Sequence, residues 1–309
     1  MTRRTPLAIV ALAAAALVAT PVPASASYAL AQGDGPTVGE QDLLPDVTMA
    51  PIYDVSLEYM KSGKVRLRFG SIIRNIGEGP LEARGTGRVK RHMNEIRQVI
   101  RLKTGGTRTV TPPDVTGFYA GDGHNHWHLS SFVVATLYPI VPSGEIDPNK
   151  VRNLRKIGFC LTDSLRVPAE VRPANAAAKA AYSYVGCGTS KSQRFKMGIS
   201  VGWADEYPAW IAYQWIEVAT LPVGDYRLCT TPNADAAWLE RDYTNNSAWI
   251  DLHVNVGTKQ VTIIGQGETS CEAAATAAVA AAGISTAPGA LALFCSIGDP
   301  ALDPRIGQL

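Results

Sequence analysis

Little in this 309-residue chain is one-sided. Lysine and arginine number 29 against 27 acidic residues, a formal net charge of +2, and the basic residues are scattered apart from a modest cluster between Arg84 and Arg101. Nucleic acid binding needs a basic stripe, so it has no support, and the cluster reads as a solvated strand face. After the N-terminus no twenty apolar residues follow one another, which excludes an ordinary membrane-spanning helix. Cysteine is limited to five residues with no CxxC pair, which argues against a zinc site built from thiolates. Histidine is also limited to five, and His92 and His253 alone lie outside one short segment. Neither has the context of a serine or cysteine nucleophile triad.

The N-terminus has three recognisable parts: a basic start at Met1-Thr2-Arg3-Arg4, an apolar run from Leu7 to Ala19, and the small-residue site Ala24-Ser25-Ala26. Together they predict a signal peptide over residues 1–26 and a secreted, extracellular protein without a membrane span, beginning at Ser27. Loss of Arg3 and Arg4 with the leader balances the charges. Export permits oxidised cysteines. Two bridges and one free thiol are the simplest arithmetic, although sequence leaves the connectivity open. The expected pairs are Cys160 with Cys187 and Cys271 with Cys295, leaving Cys229 buried in a strand.

Residues 27–43, rich in Gly, Pro and polar positions, predict a flexible lead-in. From 44 to 265 the chain has the rhythm of short strands: Tyr53 to Tyr59, Val65 to Ile73, Gln98 to Leu102, Trp127 to Tyr138, Ala212 to Val218, Asp225 to Cys229, Ala248 to Val254 and Gln260 to Ile264. In Val65-Arg66-Leu67-Arg68-Phe69 apolar side chains alternate with arginines. Turn signals such as Asn75-Ile76-Gly77-Glu78-Gly79-Pro80 separate the runs. The fold class is therefore all-β, an antiparallel β-sandwich with long loops. Ala169 to Tyr184 reads as a short helix or a loop. Residues 266–309 form an Ala-rich C-terminal extension in which a pair of short helices would fit.

What the chain does have is Gly121-Asp122-Gly123-His124-Asn125-His126-Trp127-His128. Imidazole binds copper, zinc, nickel or iron in its neutral form, so three in five residues point to a metal site. In a strand, His124, His126 and His128 would share one face. A flat strand would still separate the outer two by about 13 Å, too far to meet on one ion. The backbone should therefore bend or the strand begin here, and the Gly-Asp-Gly entry allows it. The bland alternative is a solvated or core-facing histidine run without metal.

Seven further segments stand in order: VRLRFGSIIRNIG from Val65, HNHWHLSSF from His124, KIGFCLTD from Lys156, Asp205-Glu206-Tyr207, QWIE from Gln214, LPVGDY from Leu221 and DYTNN from Asp242. Their order and spacing, over residues 44 to about 255, resemble the lysyl oxidase catalytic domain. The resemblance implies copper held by His124, His126 and His128. It also implies a self-made cofactor, lysine tyrosylquinone, formed by joining Lys156 to Tyr207. The activity implied is oxidative deamination of primary amines, either free or as lysine side chains of extracellular protein. Dioxygen is consumed, and aldehyde, ammonia and hydrogen peroxide are released. Such a cofactor performs the hard chemistry while the protein positions groups and moves protons. Asp205 is the nearest candidate base, with a turn or solvated carboxylate as its alternative role.

The family's cysteines before the histidine run and around the tyrosine are replaced here by Gly123, Trp203 and Tyr213, so those bridges do not carry over. Packing of Trp203, Trp210 and Tyr213 would be one substitute, and a looser site another. Competing readings are a non-catalytic copper-binding or adhesive extracellular β-sandwich and a metal-free β module. A cupin site fits less well, because the expected downstream glutamate is absent from Leu129 to Leu137.

Overall fold

The computed structural model describes residues 36–121, 123–147 and 150–271, with the side chains of 153–156 left out. In chain order its strands are β1 (Asp42–Leu43), β2 (Val47–Met49), β3 (Tyr53–Tyr59), β4 (Val65–Asn75), β5 (Leu81–Val89) and β6 (His92–Leu102). There follow β7 (Thr107–Val110), β8 (Gly117–Ala120), β9 (His126–Pro139), β10 (Asn153–Phe159), β11 (Leu165–Arg166) and β12 (Phe195–Ile199). The last are β13 (Trp203–Tyr207), β14 (Trp215–Glu217), β15 (Gly224–Pro232), β16 (Ala248–Asn255) and β17 (Gln260–Gly267). One 3-10 turn, Tyr184–Cys187, is the helical element among the described residues. The fold is all-β and antiparallel. The segment from Ala169 is turns and loop ending in that 3-10 turn, while the signal peptide and residues 272–309 of the Ala-rich extension fall outside the described residues.

An 11-stranded sheet runs β12-β5-β6-β8-β9-β15-β16-β17, with β1 and β7 on β6 and β10 on β9. A 6-stranded sheet runs β11-β13-β4-β14, with β2 and β3 also on β4. The core lies where the two meet: Leu67, Phe69 and Ile73 of β4 share one buried cluster with Leu129, Val133, Leu137, Leu228 and Ile250. Alternation in β4 explains this, since Val65, Leu67 and Phe69 turn inward. Arg66 instead stacks over the Trp215 ring at 4.1 Å, and Arg68 pairs with Glu58 at 2.9 Å.

Cys160 is bonded to Cys187, as expected. The second bridge is Cys229–Cys271, which corrects the expected pairing of Cys271 with Cys295. Cys229 is not a free buried thiol. After β17 the chain returns to the Cys229 side of the sheet, bringing the two α-carbons to 5.9 Å, within disulfide reach. Cys295 lies outside the described residues.

Candidate functional site

The three histidines meet because the strand starts late. β9 begins at His126, and the turn before it reverses the chain, with the Asn125 N–H donating to the Ala120 carbonyl at 2.9 Å. Gly123 (φ 104°) and Asn125 (φ 56°) take left-handed backbone angles, which Gly adopts freely and Asn more readily than most residues. His124 is thus folded back over the strand. His126 and His128 alternate with Trp127, which is fully buried in the core and donates its indole N–H to the Thr189 carbonyl at 2.9 Å.

His124 Nδ1 lies 3.2 Å from His128 Nε2, and His128 Nε2 lies 2.9 Å from His126 Nε2. One nitrogen from each ring lies within 4.8 Å of the others. Metal–nitrogen bonds of about 2.0 Å at angles of about 90–110° place neighbouring donors about 2.8–3.3 Å apart, so the two short separations fit the edges of one coordination sphere. His128 is buried, and burial first, then His126 and His124, holds its imidazole well below the ordinary histidine range. A neutral ring is the ligand form. The Phe118 ring meets His128 edge-on at 5.5 Å. Phe118 gets there because residue 158 is glycine: a Cβ on Gly158 would sit 2.6 Å from that ring and 2.8 Å from the Leu129 carbonyl oxygen.

Tyr207 closes the other side. β13 pairs with the C-terminal half of β4, Tyr207 opposite Ser71 and Asp205 opposite Ile73. The buried Tyr207 ring lies 6.4 Å from the His124 ring and 3.9 Å from Phe159. Its phenol oxygen accepts the Cys160 N–H at 2.8 Å. Cys160 is the residue bridged to the 3-10 turn, so a disulfide anchors the segment that grips this tyrosine. Lys156 stands three residues before Phe159 on β10, its backbone opposite Val134 of β9. Its side chain is outside the described atoms.

Asp205 is fully buried, which removes the solvated-carboxylate alternative. Its Oδ1 accepts the Thr162 hydroxyl at 2.9 Å, and Oδ2 has no hydrogen-bond partner among the described residues. Burial, the dominant cause, pushes its carboxyl well above the usual range against the pull of Thr162. Two contributors, Phe118 and Tyr184, had no signature in the sequence, and a third, Thr162, stood in the KIGFCLTD segment with no role of its own. The Tyr184 ring lies 5.8 Å from that of His126, and burial followed by the nearby Asp205 raises its phenol.

The aromatic substitutes behave differently from one another. Trp203 donates its indole N–H to the Ala177 carbonyl at 2.9 Å and packs on the core. Trp210 is 76% exposed and braces nothing in the core. Other motif residues hold the frame. Asn246 donates to Glu240 Oε1 at 2.7 Å, Asn245 donates to Asp46 at 2.9 Å, and Asp163 accepts from the Ser200, Ala181 and Tyr182 amides.

Residues 88–264, more than half of the chain, match the family model described as Lysyl oxidase. The chain belongs to the lysyl oxidase family. Among curated proteins it is similar to Lysyl oxidase homolog 2A of Danio rerio, 32% identical over 139 residues, 42% of this chain and 15% of that protein. Lysyl oxidase homolog 2 of Xenopus laevis is 33% identical over 127 residues, and that of Gallus gallus 32% over 127, each covering 40% of this chain and 14% of the relative. The chain thus spans a small part of the length of these relatives. The lysyl oxidase match includes the histidine turn, Lys156, Asp205 and Tyr207. No helix among the described residues is long and apolar enough to cross a membrane.

Proposed function

We propose that this chain is a secreted copper-dependent amine oxidase that converts primary amines to aldehydes through a quinone joined from Lys156 and Tyr207. The leader would be residues 1–26 and the catalytic domain 44–265. The observation that carries the reading is the convergence of three imidazole nitrogens beside a buried tyrosine, in a member of a family that works with copper and a quinone.

His124, His126 and His128 would hold the copper through neutral nitrogens, a donor set suited to copper(II). Copper and dioxygen supply the oxidation that makes the quinone, and the quinone supplies the electron acceptor for the amine. The Cys160 N–H favours a negative charge on the Tyr207 oxygen, and the Phe159 ring keeps water from that face. Asp205, on the same face of β13 as Tyr207, would receive the proton taken from the substrate carbon. One amine, one dioxygen and one water give one aldehyde, one ammonia and one hydrogen peroxide. The amine substrate would be free or a lysine side chain of an extracellular protein.

The test is mature protein loaded with copper in air and given benzylamine. Expected are a visible quinone band, redox-cycling stain, and peroxide equal to aldehyde. Lys156→Ala and Tyr207→Phe should each abolish band and stain while copper stays bound. Tight copper binding without band or peroxide in the unaltered protein would instead identify a non-catalytic copper-binding or adhesive module.

A further inference from the structure

The basic residues between Arg84 and Arg101 form a pattern once the strands are paired. β12, β5 and β6 lie side by side, and their register sets Lys196 opposite Arg84 and Arg84 opposite Arg97. Directly opposed residues share a face, so these exposed cations stand in one row across strands about 4.8 Å apart. Their chain neighbours Phe195, Met197, Ala83 and Ile96 are buried in the core, which puts the row on the outer face of the large sheet. Farther along β6, Arg101 is exposed on the same side, opposite Thr107 of β7 and about 13 Å from Arg97. One acid offsets the row from beneath: the Glu82 side chain, 1% exposed, lies 2.6 Å from Arg84 Nη2 and 3.6 Å from Lys196 Nζ and accepts the Tyr182 hydroxyl at 2.7 Å. A second acid, Glu95, stands in the next row and accepts the Thr86 hydroxyl at 2.9 Å. Arg97 donates to the Thr111 hydroxyl at 3.3 Å, and neither it nor Arg101 pairs with a carboxylate among the described residues.

We propose that this face is a docking surface for a sulfated polysaccharide, with Arg84, Arg97, Arg101 and Lys196 as its cationic contacts. Charge complementarity is the argument: like charges set opposite one another repel, and an anion that bridges them relieves the repulsion. A sulfate ester presents three oxygens, so one group can accept from the guanidinium forks of both Arg84 and Arg97. The separation of Arg101 from Arg97 asks for a second anionic group farther along the same ligand, which makes the ligand a polymer rather than a free ion. Thr107 and Thr111 border the two arginines with exposed hydroxyls suited to the hydroxyls of a sugar. A single nucleic acid strand would need exposed aromatic side chains to stack its bases, and a duplex would need an element that enters a groove. These rows carry no exposed aromatic residue, and the face is open sheet. Docking here needs neither copper nor amine turnover.

Isothermal titration of the whole mature protein with a heparin hexasaccharide, at about 0.05 M and about 0.15 M salt, tests this. Binding is expected at the lower salt and should weaken at the higher, and the desulfated hexasaccharide should not bind. The double variant Arg97→Gln/Arg101→Gln should weaken binding about tenfold or more and flatten the dependence of log affinity on log salt by up to about 2, because two fewer cations displace counterions. Neither arginine holds the buried Glu82, so thermal unfolding of this variant should match that of the unaltered protein. The control Lys61→Gln/Lys64→Gln removes the same charge from exposed positions between β3 and β4 and should leave binding unchanged. No binding of the hexasaccharide at the lower salt, unchanged binding by the arginine variant, or an equal loss in both double variants would overturn the proposal. Equal or tighter binding of single-stranded DNA of matching charge, lost with the same arginines, would overturn the assignment to a polysaccharide.

Discussion

Asn125 is the residue on which the histidine geometry turns. Spacing alone places His126 and His128 on one face, and the reach of a flat strand requires a bend to bring in His124, but the sequence does not say where. The bend is the left-handed Asn125 behind Gly123. Replacement of Asn125 by Val puts a β-branched side chain in that conformation, at a cost of about 1–2 kcal/mol. It should weaken copper binding in an isothermal titration while leaving the rest of the fold intact. His128→Ala should do more, since a lost ligand costs beyond the 10–100-fold typical of a lost supporting partner. A variant that keeps full copper affinity would mean that the histidines do not share one ion. The expectation for the lysine and tyrosine rests on the family pattern alone, because a single Lys or Tyr in a β protein carries no spacing signal.

Among the elements, the strands that read clearly were those with plain alternation, and several that build the site were not among them. β3 runs over Tyr53–Tyr59 as expected, yet β8, β10 and β13 had no strand expectation. β13, Trp203–Tyr207, holds Asp205 and Glu206, and acidic residues are poor strand formers until Thr162 and Tyr53 meet them. β10 holds Gly158, whose missing side chain is filled by Phe118. Gly158→Ala should therefore overpack, cost about 1–3 kcal/mol and displace Phe118 from His128, measurable by thermal unfolding together with copper titration. In the segment between β15 and β16, burial pushes Glu240 up to about 8 despite bonds from Asn246, Val47 and Asn233. Because its folded pKa is raised, the folded state holds a proton that the unfolded chain has lost. Stability from this group is full below about 4.5 and declines as pH rises toward about 8. Glu240→Gln should thus gain stability relative to the unaltered protein across that window, and a constant difference would refute the assignment.

At the scale of the molecule, two sheets enclose one core while the site sits where β8, β9 and β10 of one approach β13 of the other. The all-β class was readable from turn spacing. The second disulfide was not, because its partner depends on how the chain returns after β17. The two bridges should separate in function. Cys229–Cys271 closes a stretch of 42 residues away from the histidines, so Cys229→Ser should cost about 2–5 kcal/mol in denaturant unfolding and leave copper affinity unchanged. Cys160→Ser should disturb the segment that grips Tyr207 and Asp205, and so slow quinone formation. The central claim is that folding brings the metal-binding trio, Lys156 and Tyr207 into one reacting site. Peptide mapping by mass spectrometry of the purified protein after copper loading in air tests it most directly. The account predicts one covalently joined peptide containing both Lys156 and Tyr207, and recovery of an unmodified Tyr207 peptide from fully copper-loaded protein would contradict it.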